Sequence, residues 1–295
     1  MVSLIVLSSE HREHQLKQLI ECLEDNPDFK YYQKILIFDG DLKSLSKVFS
    51  SYSSQNFTSQ WEISKAERID GLYCWANALN EGIERANFDK ILYLDGDRII
   101  NQKFLSEVKN VKDKEFVVPK NLYTLNATLT TDEIRKLRND QTFVEKLMWK
   151  DFREMSNPDK SFCKKNPMSG CVGFTKKTYL RTGGFDPMFV GYGYPDIDYF
   201  RKTYNLGCKF RSVDCAELHL YHSYFPLTID IVKLHGFWNG IKYCEKWGLE
   251  IPKEIKSSGN SLGLTIKDTK GFHFLEIFEE AFNNGEIGIK SIKTL

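Results

Sequence analysis

Three clusters in the chain combine residue types and spacings that can do chemistry. Asp95-Gly96-Asp97 closes an apolar run, Lys90 to Leu94, and presents two carboxylates across one glycine. Oxygen ligands on such a turn suit Mg2+ or Mn2+, with a diphosphate completing the shell. A turn of this kind also ends strands with no chemistry attached, because both residues favour turns, and Asp39-Gly40-Asp41 repeats the pattern. The second cluster runs from Gly183 to Asp198. Its glycines let backbone pass close to a ligand, Tyr192 and Tyr194 supply flat apolar surface, and Asp196 and Asp198 open a helix. The dipole of that helix favours an ionised Asp196, and an ionised carboxylate beside an aromatic floor suits a sugar hydroxyl that must lose a proton. For Asp198 taken singly, an ordinary place in a helix's first turn is the simpler reading. The third cluster holds His219 and His222. Residues three apart share a face of a helix but lie on opposite faces of a strand. The segment reads as extended, so both histidines reach one metal only if the strand breaks before His222. A single nitrogen ligand, or a buried hydrogen-bonded histidine, is the simpler picture.

The elements that must position these residues follow from apolar periodicity. Val2 to Leu7, Lys34 to Phe38 and Lys90 to Leu94 are continuous apolar runs, with Trp61 to Ile63 a shorter one. Helical spacing appears over 12–24 and 72–86. Fully apolar strands alternating with helices imply an α/β domain, its mostly parallel sheet covered on both faces. Ligands in such sheets gather at the carboxyl ends of the strands, where both Asp-Gly-Asp triplets fall. Further along, Phe116 to Pro119 reads as a strand stopped by its proline, 131–155 as a charged helix, and Gly170 to Thr175 as a strand. Lys176 to Thr182 and Asp196 to Tyr204 read as helices, Lys209 to Val213 and Ala216 to Tyr221 as extended. A helix starts at Asp230, 253–271 reads as loop, and 273–283 as a last amphipathic helix.

Composition excludes other classes. The 295 residues are 41% hydrophobic and 14% aromatic, with 41 Lys+Arg against 40 Asp+Glu, a net charge of +1. That is apolar enough for a core and too balanced for a disordered chain or an electrostatically driven nucleic-acid binder. No apolar run approaches the roughly 20 residues of a membrane-spanning helix. Seven dispersed cysteines form no Cys-x-x-Cys pair. An odd, scattered set implies reduced thiols and a cytoplasmic setting.

Taken together, these residues resemble the metal-dependent glycosyltransferases of GT-A fold, over about residues 2–225. Ala78 to Glu84 followed by Ile91 to Asp97 is similar to the helix-then-strand block of the large family-2 group. The second half resembles the region shared by the β-1,4-galactosyltransferases and the polypeptide N-acetylgalactosaminyltransferases: Gly170-Cys171-Val172, Gly184-Phe185, Gly191 to Asp198, then His219-Leu220-Tyr221-His222-Ser223. The resemblance implies a Rossmann-like GT-A domain over 1–225 with a C-terminal helical extension over 226–295. It implies transfer of a sugar from a nucleotide-diphosphate sugar, UDP-linked, with Mn2+ or Mg2+ as cofactor.

Position by position, the resemblance puts Asp39 on the donor's base, Tyr73 and Trp75 against the nucleotide, and Asp95 on the donor sugar or ribose. Asp97 and His222 become metal ligands, His219 falls on a third ligand position, Asp196 matches the catalytic base, and Tyr192 lines the sugars. Pro195 and Ile197 replace two acceptor-holding acids of the galactosyltransferases, so their acceptor preference does not carry over. Trp75 replaces an arginine, which leaves Arg98 or Lys65 as a cation for the diphosphate. The Gly184-Phe185-Asp186-Pro187 turn is closer to the N-acetylgalactosaminyltransferases, which retain configuration, so inversion and retention both stand. A non-catalytic carbohydrate-binding module of the same fold and a metal-dependent hydrolase are the other classes. The acceptor is expected to be a glycan, a lipid-linked sugar or another hydroxyl. A nucleic-acid acceptor is not favoured, because the basic residues of 131–165 are interleaved with acids and read as a solvated face.

Overall fold

The computed structural model describes residues 1–45, 49, 60–69, 72–124, 128–139, 170–191, 193–222, 229–253 and 255. The helix expected over 273–283, most of the 253–271 loop, and Tyr192 lie outside them.

Strands β1 (Val2–Ser9), β2 (Gln33–Asp39), β3 (Trp61–Lys65) and β6 (Lys90–Asp95) are the apolar runs read from the sequence. They pair in parallel, β1 lying between β2 and β6 and β3 outside β2. A two-stranded ribbon, β4 (Arg68–Ile69) and β5 (Leu72–Tyr73), leads into the helix after it. The sheet continues through β9 (Cys171–Thr175), β8 (Glu115–Thr124) and β10 (Lys209–His219), and ends at β7 (Arg98–Ile100). In this eight-stranded sheet only β9 and β7 run against the rest.

The strands are apolar throughout because both faces are covered. Leu4 and Val6 of β1 pack with helix α1 (Glu13–Glu24) and helix α3 (Gln102–Lys109), while Ile5 and Leu7 pack with helix α2 (Trp75–Arg85). Leu36 and Leu92 continue the first face, Ile35 and Ile91 the second. This period-two division of a continuous apolar run is the signature of a doubly covered sheet.

Two boundaries differ from expectation. Pro119 does not stop its strand: β8 runs through it to Thr124. The pairing with β10 steps from Val213 opposite Pro119 to Ala216 opposite Asn121, so a bulge sits where proline offers no N–H. The two extended segments expected around residue 214 are therefore one bulged strand. The charged helix described as α4 covers Thr131–Asn139, and the rest of 131–155 lies outside the described residues. Helices α5 (Lys176–Thr182), α6 (Pro195–Asn205) and α7 (Ile229–Trp247) follow. Proline at the first turn of α6 costs no intrahelical hydrogen bond. Helix α7 has its own apolar cluster, in which Leu234, Phe237 and Trp238 are buried and Tyr194 packs against them.

Candidate active site

The carboxyl edge of the parallel strands collects Asp39 from β2, Asp95 from β6 and His219 from β10. Between Asp95 and Asp97 the turn is anchored on β1: Gly96 N–H donates to the Leu7 carbonyl at 2.7 Å. A Cβ on Gly96 would lie 2.5 Å from Ser8 Oγ. Close approach, more than turn propensity, demands this glycine.

Asp97, His219 and His222 converge, each offering one ligand atom within 4.8 Å of the others. Asp97 Oδ2 is 3.3 Å from His222 Nε2 and 3.6 Å from His219 Nε2. The two Nε2 atoms are 3.0 Å apart. The condition set by the sequence is met, since β10 ends at His219 and residues 220–222 are irregular. Leu220 N–H donates to the Asp97 carbonyl at 2.8 Å, tying that irregular stretch to the turn. Arg12, just past β1, places Nη1 2.5 Å from Asp97 Oδ2.

The two carboxyls are driven apart electrostatically. Burial and the charge of Asp97 push Asp95 up, and Tyr93 OH donates to its Oδ1. Burial would also raise Asp97, but hydrogen bonds from His219 and His222, with Arg98 nearby, hold it well below the usual carboxylate range. Burial lowers His219, which favours the neutral imidazole a metal needs.

A model of the family described as "Glycosyltransferase like family 2" matches residues 4–240. The chain belongs to this family. A curated relative, the chondroitin synthase of Escherichia coli, is 25% identical across 72% of this glycosyltransferase-like chain and 33% of its own length. The chain thus spans about a third of the relative it matches. Among solved structures, GalNAc-T7 with UDP, GalNAc and Mn2+ aligns with a TM-score of 0.58 at 14% identity, over 96% of this chain and 54% of that one. The mannosyltransferase PcManGT of Pyrobaculum calidifontis, in complex with GDP-Man and Mn2+, aligns with a TM-score of 0.53 at 9% identity, over 96% and 80%. The fold of this family-2-like chain is therefore GT-A.

The other expected residues fall as follows. Asp39 is gripped by Arg68, whose Nε and Nη2 lie 2.8 and 3.2 Å from its two carboxylate oxygens. Tyr73 ends β5, and its carbonyl accepts from Gly191 N–H at 3.0 Å, docking the glycine-tyrosine loop beside it. Trp75 lies edge-on to Tyr93 and Phe185, and its Nε1–H donates to Tyr93 OH at 2.8 Å. Through Tyr93 it buttresses Asp95. Asp196 sits in the first turn of α6, with Oδ1 accepting from Ile197 N–H at 2.9 Å. Asp198 is wholly buried and binds Lys246 Nζ and Trp247 Nε1 of α7, each at 2.8 Å, so its role is structural. Arg98 is buried in ion pairs with Asp97 and Glu217, which corrects the expectation that it serves the diphosphate.

Sequence reasoning missed the grip of α7 on the loop before Asp196. Asn239 Nδ2 donates to the carbonyls of Val190 and Gly193, each at 3.0 Å, bracketing residues 191 and 192. Lys242 reaches the Met188 carbonyl at 2.9 Å, and Lys246 reaches Asp186 at 2.6 Å. His235 lies so close to Gly191 that a Cβ there would clash with the imidazole. Tyr194 holds φ 76°, a left-handed conformation that costs a non-glycine residue about 1–3 kcal/mol. The helix that stabilises this strained residue is the one that grips its loop. Positions 235, 239, 242 and 246 recur at one helical face, a signal the sequence carried.

Proposed function

We propose that the chain is a metal-dependent glycosyltransferase that moves a sugar from a nucleotide-diphosphate sugar, UDP-linked, to an acceptor hydroxyl, inverting the anomeric carbon with Asp196 as base. The observation that carries this reading is the meeting of Asp97, His219 and His222 at the carboxyl edge of the sheet. One carboxylate and two imidazoles can hold a divalent ion, and the two nitrogens favour Mn2+ over Mg2+. Asp97 is buried, and its Oδ2 faces both imidazoles while Oδ1 faces Arg98, so the carboxylate is held toward the histidines. When bound, the ion supplies Lewis-acid stabilisation of the leaving diphosphate.

The chain's own residues do the rest. Asp95, buttressed by Tyr93 and Trp75, would take the donor sugar or ribose, and Asp39 beside Arg68 the base. Tyr73 and Trp75 would flank the nucleotide, Tyr192 would line the sugars, and Asp196 would accept the proton of the acceptor hydroxyl. The UDP, GalNAc and Mn2+ held by GalNAc-T7 and the GDP-Man and Mn2+ held by PcManGT support the donor class, and the motif resemblance supports UDP over GDP. Kinship with a chondroitin synthase favours a glycan acceptor over a lipid-linked one. With this goes a catalytic domain over 1–225 and an extension over 226–295, which the separate apolar cluster of α7 supports. Among the described residues no helix is long and apolar enough to cross a membrane. The dispersed cysteines, of which Cys22, Cys74, Cys171, Cys208, Cys215 and Cys244 are buried, support a reducing, cytoplasmic setting.

A thermal-shift screen of UDP- and GDP-sugars with Mn2+, followed by NMR of the product anomer, tests the reading. Stabilisation by UDP-sugars that disappears with EDTA, and an inverted product, are expected. A retained anomer would take the base role from Asp196. Absence of any nucleotide-sugar turnover would leave a binding module.

A further inference from the structure

The short antiparallel pair of β7 and β10 places His219 opposite Arg98 and Glu217 opposite Ile100. Residues 98 and 100, and 217 and 219, alternate in register, so Arg98, Glu217 and His219 share one face of the ribbon. On that face Arg98 Nε lies 3.4 Å from Asp97 Oδ1, and Arg98 Nη1 lies 3.2 Å from Glu217 Oε1. All three charged residues are buried: Asp97 and Arg98 are 8% exposed and Glu217 2%. Gly170 caps the guanidinium, since a Cβ there would sit 2.8 Å from Arg98 Cζ.

This arrangement divides the two oxygens of Asp97. Oδ1 faces Arg98, and Oδ2 faces the histidines with Arg12 Nη1 beside them. Paired with Asp97 alone, the guanidinium would draw on the whole charge of that carboxylate; Glu217 gives it a second buried partner. We propose that Arg98 and Glu217 are positioning residues for Asp97, Glu217 holding the guanidinium and the guanidinium turning Oδ2 toward His219 and His222. The inference rests on the proposed reading of Asp97, His219 and His222 as metal ligands. Partners that orient metal ligands in this way change metal affinity by about 10–100-fold when removed.

The test uses the full chain and Mn2+ alone, with affinity read by electron paramagnetic resonance and Co2+ substitution giving the visible spectrum of the ligand field. Glu217→Gln keeps the shape of the side chain, and Arg98→Lys keeps the charge without the fork that spans two carboxylates. Each is expected to melt as a folded protein, to bind Mn2+ about 10–100-fold more weakly, and to shift the Co2+ spectrum. Asp97→Ala and His222→Ala separate the two claims. If they bind Mn2+ like the parent, the metal reading falls. If they lose Mn2+ while Glu217→Gln and Arg98→Lys keep the parent's affinity and spectrum, the positioning claim is overturned. For the case in which a variant fails to fold, the Nε–H resonance of Arg98 in the unaltered chain is followed during titration with Zn2+, a diamagnetic ion that takes imidazole and carboxylate ligands. A shift that saturates with the ion supports the proposal, and an unmoved resonance overturns it.

Discussion

Asp97 Oδ2 lies 3.3 Å from His222 Nε2, which joins the turn after β6 to the irregular stretch after β10. Neither residue is informative alone, since a strand-ending aspartate and a late histidine are both ordinary. Their meeting depends on β10 ending at His219, so that three residues of chain can carry His222 back to the same carboxylate. The sheet edge, the turn and the end of the strand together build one ligand set.

The identity of the ion follows from that set. Two imidazole nitrogens favour a transition metal over Mg2+, whose preference is for oxygen and water. After EDTA treatment, Mn2+ is expected to restore nucleotide release from the donor found by screening more fully than Mg2+ at equal concentration. Initial rates across a metal series check this, and equal restoration by Ca2+ alone would count against the nitrogen ligands.

Asp196→Asn removes a base without changing shape. Turnover is expected to fall by about 10²–10⁴-fold, while calorimetric affinity for UDP with Mn2+ stays that of the parent. Near-full turnover would remove Asp196 from the chemistry.

Asn239→Asp replaces the two N–H donors that reach Val190 and Gly193 with oxygens facing carbonyls. Loss of this clamp is expected to cost about 1–3 kcal/mol of stability. It should lower turnover by up to about 100-fold through displacement of the loop before Asp196, with UDP and Mn2+ affinity unchanged. Denaturant titration and steady-state kinetics read the two effects separately.

His235 makes acid stability a readout of the same interface. Burial lowers its pKa to about 4, against about 6.5 in an unfolded chain. Between those values the unfolded state binds the extra proton, so stability falls as pH drops from about 6.5 toward 4 and is unaffected by this group above that window. The loss is on the order of 3 kcal/mol. His235→Gln should flatten that part of the pH profile in urea titrations, and an unchanged slope would place the acid sensitivity elsewhere.

The chemistry-bearing residues were legible where local sequence decides. Apolar runs placed β1, β2 and β6, and their ends placed Asp39, Asp95 and Asp97 at the edge where ligands gather. The convergence of His219 and His222 was legible only as a condition on where a strand ends. What was not legible is long-range. Arg98 reads as an available cation until Glu217 arrives from β10, and the support that Trp75 lends Asp95 runs through Tyr93 of another element. Pro119 reads as a stop because the bulge that tolerates it lies on another strand. The helix from Asp230 is legible, but the partners of His235, Asn239, Lys242 and Lys246 are not, because the loop they grip lies about 50 residues earlier in the chain.

Every donor role proposed above depends on metal-dependent binding through Asp97. Calorimetric titration of UDP, with GDP as comparison, into the chain and into Asp97→Ala, each with Mn2+ and with EDTA, tests it most directly. UDP binding by the parent with Mn2+, its loss in EDTA, and no metal-dependent binding by Asp97→Ala are expected. Equal UDP affinity in all four titrations would contradict it.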